Sequence, residues 1–169
     1  MDLSLKSGDG MLNIRVGAII KDKHGYCFHY DKKHDYYALI GGRVKYFESS
    51  DSAIKREIKE ELNIECDDIY FLTTVQNFFE YESTSYHEIL FIYHVTINES
   101  LEDLTIPFDQ KIKYVSLKVS EIPEIKLLPQ KAKEIILRRV DVKLLSRERY
   151  LPHQYSLLLI TRKRPLFFS

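Results

Sequence analysis

The segment from Gly41 to Ile64 constrains this chain more than any other stretch. It reads GGRVKYFESSDSAIKREIKEELNI, a pair of glycines followed by a charged, amphipathic run. Ser49 is a favourable N-cap residue, with Ser50 as an alternative, and Asp51 adds negative charge to the first turn, where the helix dipole favours it. The sequence therefore predicts a helix that begins near Ser50.

One face of this predicted helix is apolar, because Ile54, Ile58 and Leu62 recur every four residues. A rotation of about 100° per residue places Glu61 roughly 20° from Ile54, at the edge of the buried face. An unpaired buried carboxylate is costly, and Glu57, four residues earlier, adds like-charge repulsion. A hard cation would offset both costs, and Mg²⁺ prefers oxygen ligands. The pattern therefore indicates a divalent metal site.

A second interpretation of the same segment is an ordinary solvated helix stabilised by salt bridges. Glutamate and lysine are good helix formers, and Glu57 could pair with nearby lysines. The upstream sequence favours the metal site, because a strand predicted at 36–40 leads directly into Gly41 and Gly42. Paired glycines between a strand and a helix let the backbone approach a ligand closely.

The whole segment resembles the signature of the Nudix hydrolase family, Gly-x5-Glu-x7-Arg-Glu-U-x-Glu-Glu-x-Gly-U, in which U is a bulky aliphatic residue. The matching positions are Gly42, Glu48, Arg56, Glu57, Ile58, Glu60, Glu61 and Ile64. Asn63 replaces the last glycine of the signature. That glycine occupies a left-handed position just after a helix, where asparagine is the next most tolerant residue. So many fixed positions make the match specific, and the resemblance covers about residues 10 to 140.

The resemblance implies an α/β fold, namely an α/β/α sandwich with a mixed central sheet. It also implies hydrolysis of a phosphoanhydride bond in a nucleoside diphosphate linked to another moiety, by attack of water on phosphorus. The implied cofactor is Mg²⁺, with Mn²⁺ as an alternative, and its ligands would be Glu57, Glu60, Glu61 and the backbone carbonyl of Gly41. Gly41 and Gly42 would also contact the substrate. Arg56 and Glu48 would brace the acidic side chains rather than react.

The general base stays open at this point. Glu57 matches the residue with that role in some family members, whereas others use a glutamate from a later loop or strand. Glu88 is the first late candidate, followed by Glu80 and Glu82. His87, beside Glu88, is the one histidine that merits a test, although a packing or surface role explains it equally.

The function also has an alternative, in which the chain is a nucleotide-binding or regulatory module of the same fold that does not hydrolyse its ligand. A pure binding module has no need of three costly, closely spaced carboxylates. Retention of Glu57, Glu60 and Glu61 therefore favours the enzyme. Its partner would be a small nucleotide-type molecule whose identity the sequence does not reveal.

Outside the signature, alternating apolar and β-branched residues predict several strands. They span 12–21, 26–30, 69–76, 88–96 and 111–117. Ser120 could cap a short helix or turn. Pro129 is well placed as the first residue of a helix. This helix would carry Ala132, Ile135, Ile136 and Val140.

Composition bounds the class of protein. The 169 residues are 44% hydrophobic and 30% charged, as expected for one globular domain. Its 25 basic and 25 acidic residues balance, so we expect neither nucleic-acid nor membrane binding. Cys27 and Cys66 are too few for a disulfide framework, and no signal peptide or membrane span is visible, which predicts a cytoplasmic protein.

The predicted domain spans residues 1–145, and residues 146–169 form an extension that is basic and apolar in patches. Its role is open. An oligomer contact, a nucleic-acid or membrane-surface segment and a variable extension packed on the domain are all compatible with it, and we favour the last. The oligomeric state is equally open, with a homodimer as one option.

Overall fold

The structure, a computed structural model, describes residues 1–106 and 112–147. Within these residues, eight strands and two α-helices follow one another along the chain. The strands are β1 (Ser4–Ser7), β2 (Gly10–Lys21), β3 (Tyr26–Asp31), β4 (Tyr36–Ala38), β5 (Ile69–Tyr81), β6 (Thr84–Thr96), β7 (Ile112–Leu117) and β8 (Leu127–Leu128). The helices are α1 (Ser50–Leu62) and α2 (Gln130–Arg147), and short 3₁₀ turns occupy Leu101–Asp103 and Val119–Glu124.

The strands form one mixed sheet. Its order is β5-β6-β2-β3-β4-β8, and β1 and β7 pair with β2 and β3 respectively. The central pair, β2 and β6, is parallel over its full length, from Gly10 opposite Ser85 to Lys21 opposite Thr96. The hairpins β2-β3 and β5-β6 are antiparallel. The predicted mixed central sheet is confirmed.

Two apolar layers lie on opposite faces of this sheet, because successive side chains of a strand point to opposite sides. Helix α1 covers one face, with its predicted stripe of Ile54, Ile58 and Leu62 fully buried against Val16, Ala18 and Ile20 of β2. Helix α2 covers the other, where the core includes Ile19, Phe28, Ile92, Ala132 and Ile136. Burial of each large aliphatic side chain contributes roughly 1.5–3 kcal/mol. The predicted α/β/α sandwich is confirmed.

The strand β2 positions the glycine pair. It pairs with β3 only at Ile20 and Lys21. Nearer the N-terminal end of β2, the same edge pairs with the segment that follows β4. There the amides of Ala18 and Val16 donate to the carbonyls of Ile40 and Gly42 at 2.8 and 2.9 Å. The strands β2 and β3 therefore diverge, and the glycine turn lies against β2.

The other predicted elements differ from the structure mainly at their ends. The strands β5 and β6 extend to a two-residue turn at Glu82 and Ser83, both with positive φ. Hairpins favour such turns, but Asn-Gly is their usual sequence, so the strands were predicted too short. Helix α2 begins at Gln130, one residue later than predicted, and a short 3₁₀ turn follows Lys118, near the predicted Ser120.

The remaining sequence predictions concern the ends of the described ranges. Residue 111 of the predicted strand 111–117 and residues 148–169 of the predicted extension lie outside the described residues. Helix α2 runs through residue 145, where the domain boundary was proposed, and that boundary stays a prediction.

Cys27 and Cys66 are both free thiols. Among the described helices, none has the length and hydropathy needed to cross a membrane.

Candidate active site

The helix α1 carries most of the predicted site, and its ends follow the local sequence. Ser49 is the N-cap residue, although its hydroxyl donates to Oγ of Ser52 at 2.9 Å instead of capping a backbone amide. Asn63 ends the helix in the left-handed conformation, with φ 58° and ψ 28°, and its amide donates to the carbonyl of Lys59 at 3.0 Å. The left-handed position predicted for Asn63 is confirmed.

Arg56 lies at the centre of the acidic cluster. Its Nε and Nη2 donate to the two carboxylate oxygens of Glu48 at 2.7 and 2.9 Å. Its Nη1 donates to Oε1 of Glu57 at 2.6 Å and to Oε2 of Glu60 at 3.2 Å. Nη2 also donates to the carbonyl of Arg43 at 3.0 Å. A guanidinium offers five donors in a rigid fork, so one side chain fixes three carboxylates and the glycine-rich loop.

Glu48 is the carboxylate that Arg56 binds most completely. The hydrogen bonds from Arg56 lower the pKa of Glu48 to about 2, and the amide of Lys45, which donates at 2.8 Å, adds to this effect. The pKa of Arg56 is raised in return, chiefly by its bonds to Glu48. This pair is therefore ionised across the physiological range and ties α1 to the preceding loop.

Glu61 has the opposite electrostatic environment. Its Oε1 accepts a hydrogen bond from the amide of Gly41 at 3.0 Å, and its Oε2 accepts one from the hydroxyl of Tyr114 at 2.9 Å. Burial nevertheless raises its pKa to about 7, and the nearby charge of Glu57 contributes in the same direction. The two hydrogen bonds and the charge of Arg15 oppose this rise. The anionic form of Glu61 is thus costly in the metal-free protein.

The two glycines are required by close contacts within the protein. Gly41 has φ +145°, and a Cβ there would collide with the carbonyl of Val16. A Cβ on Gly42 would collide with the carboxylate of Glu57. The glycine pair therefore lets β2 and the carboxylates of α1 meet at one point. The contact of these two glycines with substrate stays a prediction.

The donor chemistry of this point fits a hard divalent cation. Glu57 and Glu61 lie against Gly42 and Gly41 respectively, and their mutual repulsion would be relieved by a positive ion. In the part of the chain that the structure describes, no three His, Cys, Asp or Glu side chains converge closely enough to hold a metal. Arg56 binds both Glu57 and Glu60. Glu60 is 53% exposed and could turn toward the ion.

Glu88, the late candidate base, lies apart from the group around Arg56. It is buried on β6, where Nδ2 of Asn77 donates to its Oε1 at 2.8 Å and Nη1 of Arg15 lies 3.6 Å from its Oε2. The ring of His87 points to the opposite face of the sheet and packs on Phe78, with 4.5 Å between the ring centroids. Glu88 therefore faces a different neighbourhood from His87.

Glu88 lines a cleft of about 820 Å³ on the side of the sheet that α2 covers. Arg15 and Gly17 of β2 also line it, together with residues of β3, β4, the β5-β6 hairpin and the start of α2. A Cβ on Gly17 would approach Leu39 to 3.1 Å, so this glycine lets Leu39 pack closely on β2. Cavities of this size accommodate small organic ligands.

Sequence reasoning missed three residues of this neighbourhood. Arg15 interrupts the apolar run LNIRVGAII, and that interruption was a visible signal. Tyr114 and Asn77 carry no comparable signal, because each meets its carboxylate only once separate elements have packed or paired.

Comparison with known proteins supplies a family. The sequence model of the NUDIX domain matches residues 11–138 of this chain. No curated protein matches it.

Solved structures share the fold. The MutT protein from Methanosarcina mazei Go1 is 19% identical, with 82% of this chain and 99% of that chain covered and a TM-score of 0.57. The NUDIX domain of Shewanella oneidensis NrtR, crystallised with ADP ribose, is 15% identical, with 82% and 90% covered and a TM-score of 0.61. The Ap4A hydrolase of C. elegans is 15% identical, with 79% and 98% covered and a TM-score of 0.56. At these identities the likeness concerns the fold alone.

Proposed function

Because this chain belongs to the Nudix family, we propose that it is a metal-dependent hydrolase of nucleoside diphosphates linked to another moiety. The reaction is attack of water on phosphorus with cleavage of a phosphoanhydride bond. The observation that carries the proposal is the convergence of two carboxylates on the glycine turn, Glu57 at Gly42 and Glu61 at Gly41. An arrangement so costly without a cation is expected where a cation binds.

The proposed ligands of Mg²⁺, or of Mn²⁺, are Glu57, Glu60, Glu61 and the carbonyl of Gly41. When bound, such an ion neutralises charge on phosphate oxygens and eases deprotonation of water. Tyr114 and the amide of Gly41 orient Glu61, since each donates a hydrogen bond to one of its oxygens. Their bonds also favour the anionic form that a cation requires.

The hydrogen bonds of Glu57 suggest which group accepts the proton of the attacking water. Arg56 donates to Oε1 of Glu57, which leaves Oε2 as the oxygen proposed to accept a proton from the attacking water. Glu88 ranks below Glu57 as the base, because it lies in the cleft between Asn77 and Arg15 rather than at the glycine turn. Arg56 and Glu48 act by holding Glu57 in place.

The cleft beside Arg15 is the proposed site for the organic part of the substrate. Its volume suits a nucleoside or sugar, and aromatic rings from β4 and the β5-β6 hairpin, such as Tyr36 and Phe79, line it. ADP ribose and Ap4A, which are named with two of the similar structures, are therefore the first compounds to test. A small nucleotide-type partner and a cytoplasmic location remain predictions from the sequence.

Product release from a substrate panel tests the proposal. The panel contains nucleoside triphosphates, ADP-ribose, sugar nucleotides and dinucleoside polyphosphates, each incubated with Mg²⁺ or with EDTA. We expect product only with the metal, and a loss of orders of magnitude in Glu61→Gln. Glu65→Gln is a matched control, because Glu65 is exposed and contacts Lys59 outside the cluster. Binding without turnover across the panel would favour the alternative binding module.

A further inference from the structure

Arg15 places a positive charge in the cleft, one residue before the strand position that contacts the glycine turn. It lies on β2 directly before Val16, whose backbone contacts both glycines of the turn. Its side chain lines the cleft and is 37% exposed. Burial and the charge of Arg15 both lower the pKa of His29, another residue that lines the cleft. The backbone of β2 thus links the guanidinium in the cleft to the glycine turn.

The protein uses little of the hydrogen-bonding capacity of Arg15. Across residues 1–106 and 112–147, the polar contact of its side chain is the single ion pair with Glu88, at 3.6 Å. Five N–H groups in a fixed fork match the oxygens of a phosphate. Arg56, by comparison, makes five short contacts with protein acceptors. The geometry of Arg15 therefore leaves donors for a ligand.

The cleft offers few other cations. Of its described lining residues, Lys126 is the other basic side chain with a permanent charge. Burial lowers the pKa of His29, so this histidine is neutral at physiological pH. A diphosphate carries anionic charge on both phosphate groups, and carboxylates cannot bind either one without a metal. For the group nearer the cleft, Arg15 and Lys126 are the permanent cations that the described lining supplies.

We propose that Arg15 binds the phosphate group adjacent to the one that is attacked. This inference rests on the proposed function, because it assigns the second phosphate of the same substrate class. Glu88 is a positioning residue here. Its buried carboxylate, fixed by Asn77, directs the guanidinium into the cleft.

A purely structural role for Arg15 makes a different prediction. If Arg15 only neutralises the buried Glu88, its removal leaves an unpaired buried charge and lowers stability. Replacing Glu88 as well would then restore the protein fully. If Arg15 binds phosphate, the double variant recovers stability but not ligand affinity. The pair of variants therefore separates the two roles.

Binding of imidodiphosphate, a diphosphate analogue with a P–N–P bridge, provides the test. Calorimetric titration in Mg²⁺ measures its affinity for the wild type, Arg15→Gln, Arg15→Lys and Arg15→Gln/Glu88→Gln. We expect a loss of about 10- to 100-fold in both variants with glutamine at position 15, as for one charge-assisted pair, and a smaller loss with lysine. Lys21→Gln removes a charge from the exposed end of the same strand and should bind normally.

Several outcomes overturn this assignment. Equal affinity for imidodiphosphate in Arg15→Gln and Lys21→Gln would overturn it. Full recovery of affinity in the double variant would also overturn it. Loss of affinity in Lys126→Gln but not in Arg15→Gln would assign phosphate binding to Lys126 instead. Imidodiphosphate binding that depends on Arg15, in a protein without turnover, would refute the hydrolase and retain this inference. Turnover by Arg15→Gln with the KM of the wild type would refute this inference and retain the hydrolase.

Discussion

Replacing Glu61 by glutamine should stabilise the metal-free protein while it removes the response to metal. Glutamine keeps the shape of the side chain. Its oxygen can still accept from the amide of Gly41, and its NH₂ group can donate to the hydroxyl of Tyr114. What disappears is the half-buried negative charge, so the substitution tests the electrostatic cost directly.

The size and sign of the effect follow from the raised pKa of Glu61. Its pKa is about 7 in the folded protein against an ordinary value of 4.5, so between these values the folded state binds more protons than the unfolded state. Stability therefore falls as the pH rises through this window, and the full cost is present above about pH 7. At about 1.4 kcal/mol per pKa unit, the cost reaches about 3 kcal/mol as an upper figure.

The assay is urea unfolding of the wild type and Glu61→Gln in EDTA between pH 4.5 and 8.5. The difference between the two proteins isolates Glu61, because groups such as His29 titrate equally in both. We expect the advantage of Glu61→Gln to grow from near zero to about 3 kcal/mol as the pH rises. Added Mg²⁺ should stabilise the wild type and leave the variant unchanged.

Two results would refute this reasoning. An advantage that does not vary with pH would mean that Glu61 does not titrate in this window. A variant less stable than the wild type at pH 8 in EDTA would mean that the hydrogen bonds to Glu61 outweigh its burial. Glu60→Gln is the matched control, because the carboxylate of Glu60 is 53% exposed, and its gain over the wild type at pH 8 should be well below that of Glu61→Gln.

Two further substitutions test how the site is held. Gly42→Ala should displace the carboxylate of Glu57 and cost about 0.5–1.5 kcal/mol, as for a side chain moved off its rotamer, with a weakened Mg²⁺ response in thermal unfolding. Gly8→Ala, whose methyl meets nothing within 4 Å, should keep that response, and equal responses would contradict the steric argument. Arg56→Lys should lose about 2–3 kcal/mol near neutral pH, because one ammonium cannot replace the fork. The loss should shrink as the pH falls from 4.5 toward 2, where Glu48 becomes protonated, and a constant loss in urea unfolding would contradict this.

Local sequence rules account for the helix α1 almost completely. Its start at Ser50, the buried stripe of Ile54, Ile58 and Leu62, and the left-handed Asn63 all follow from periodicity and capping. The position of Glu61 at the edge of the buried face follows from the same rotation. These features depend on residues within one or two turns, which is why the sequence is sufficient for them.

Features that depend on distant segments were not predictable in this way. Tyr114 meets Glu61 only because β7 pairs with β3, and Arg15 meets Glu88 only because β2 pairs with β6. The turn at 82–83 adopts positive φ without the usual Asn-Gly sequence, because the long pairing of β5 with β6 holds it. The energy of strand pairing therefore outweighs the conformational preference of the individual turn residues.

Backbone strain and repulsion between carboxylates occur together near Arg56. Phe47, which is 95% exposed, adopts φ +62° just before Glu48, at a cost of about 1–2 kcal/mol for a residue other than glycine. Glu48 holds this strained turn by accepting from the amide of Lys45, and Arg56 binds Glu48 with two donors. The same guanidinium holds Glu57. Because one guanidinium binds both carboxylates, the loop and the helix are held together as one unit.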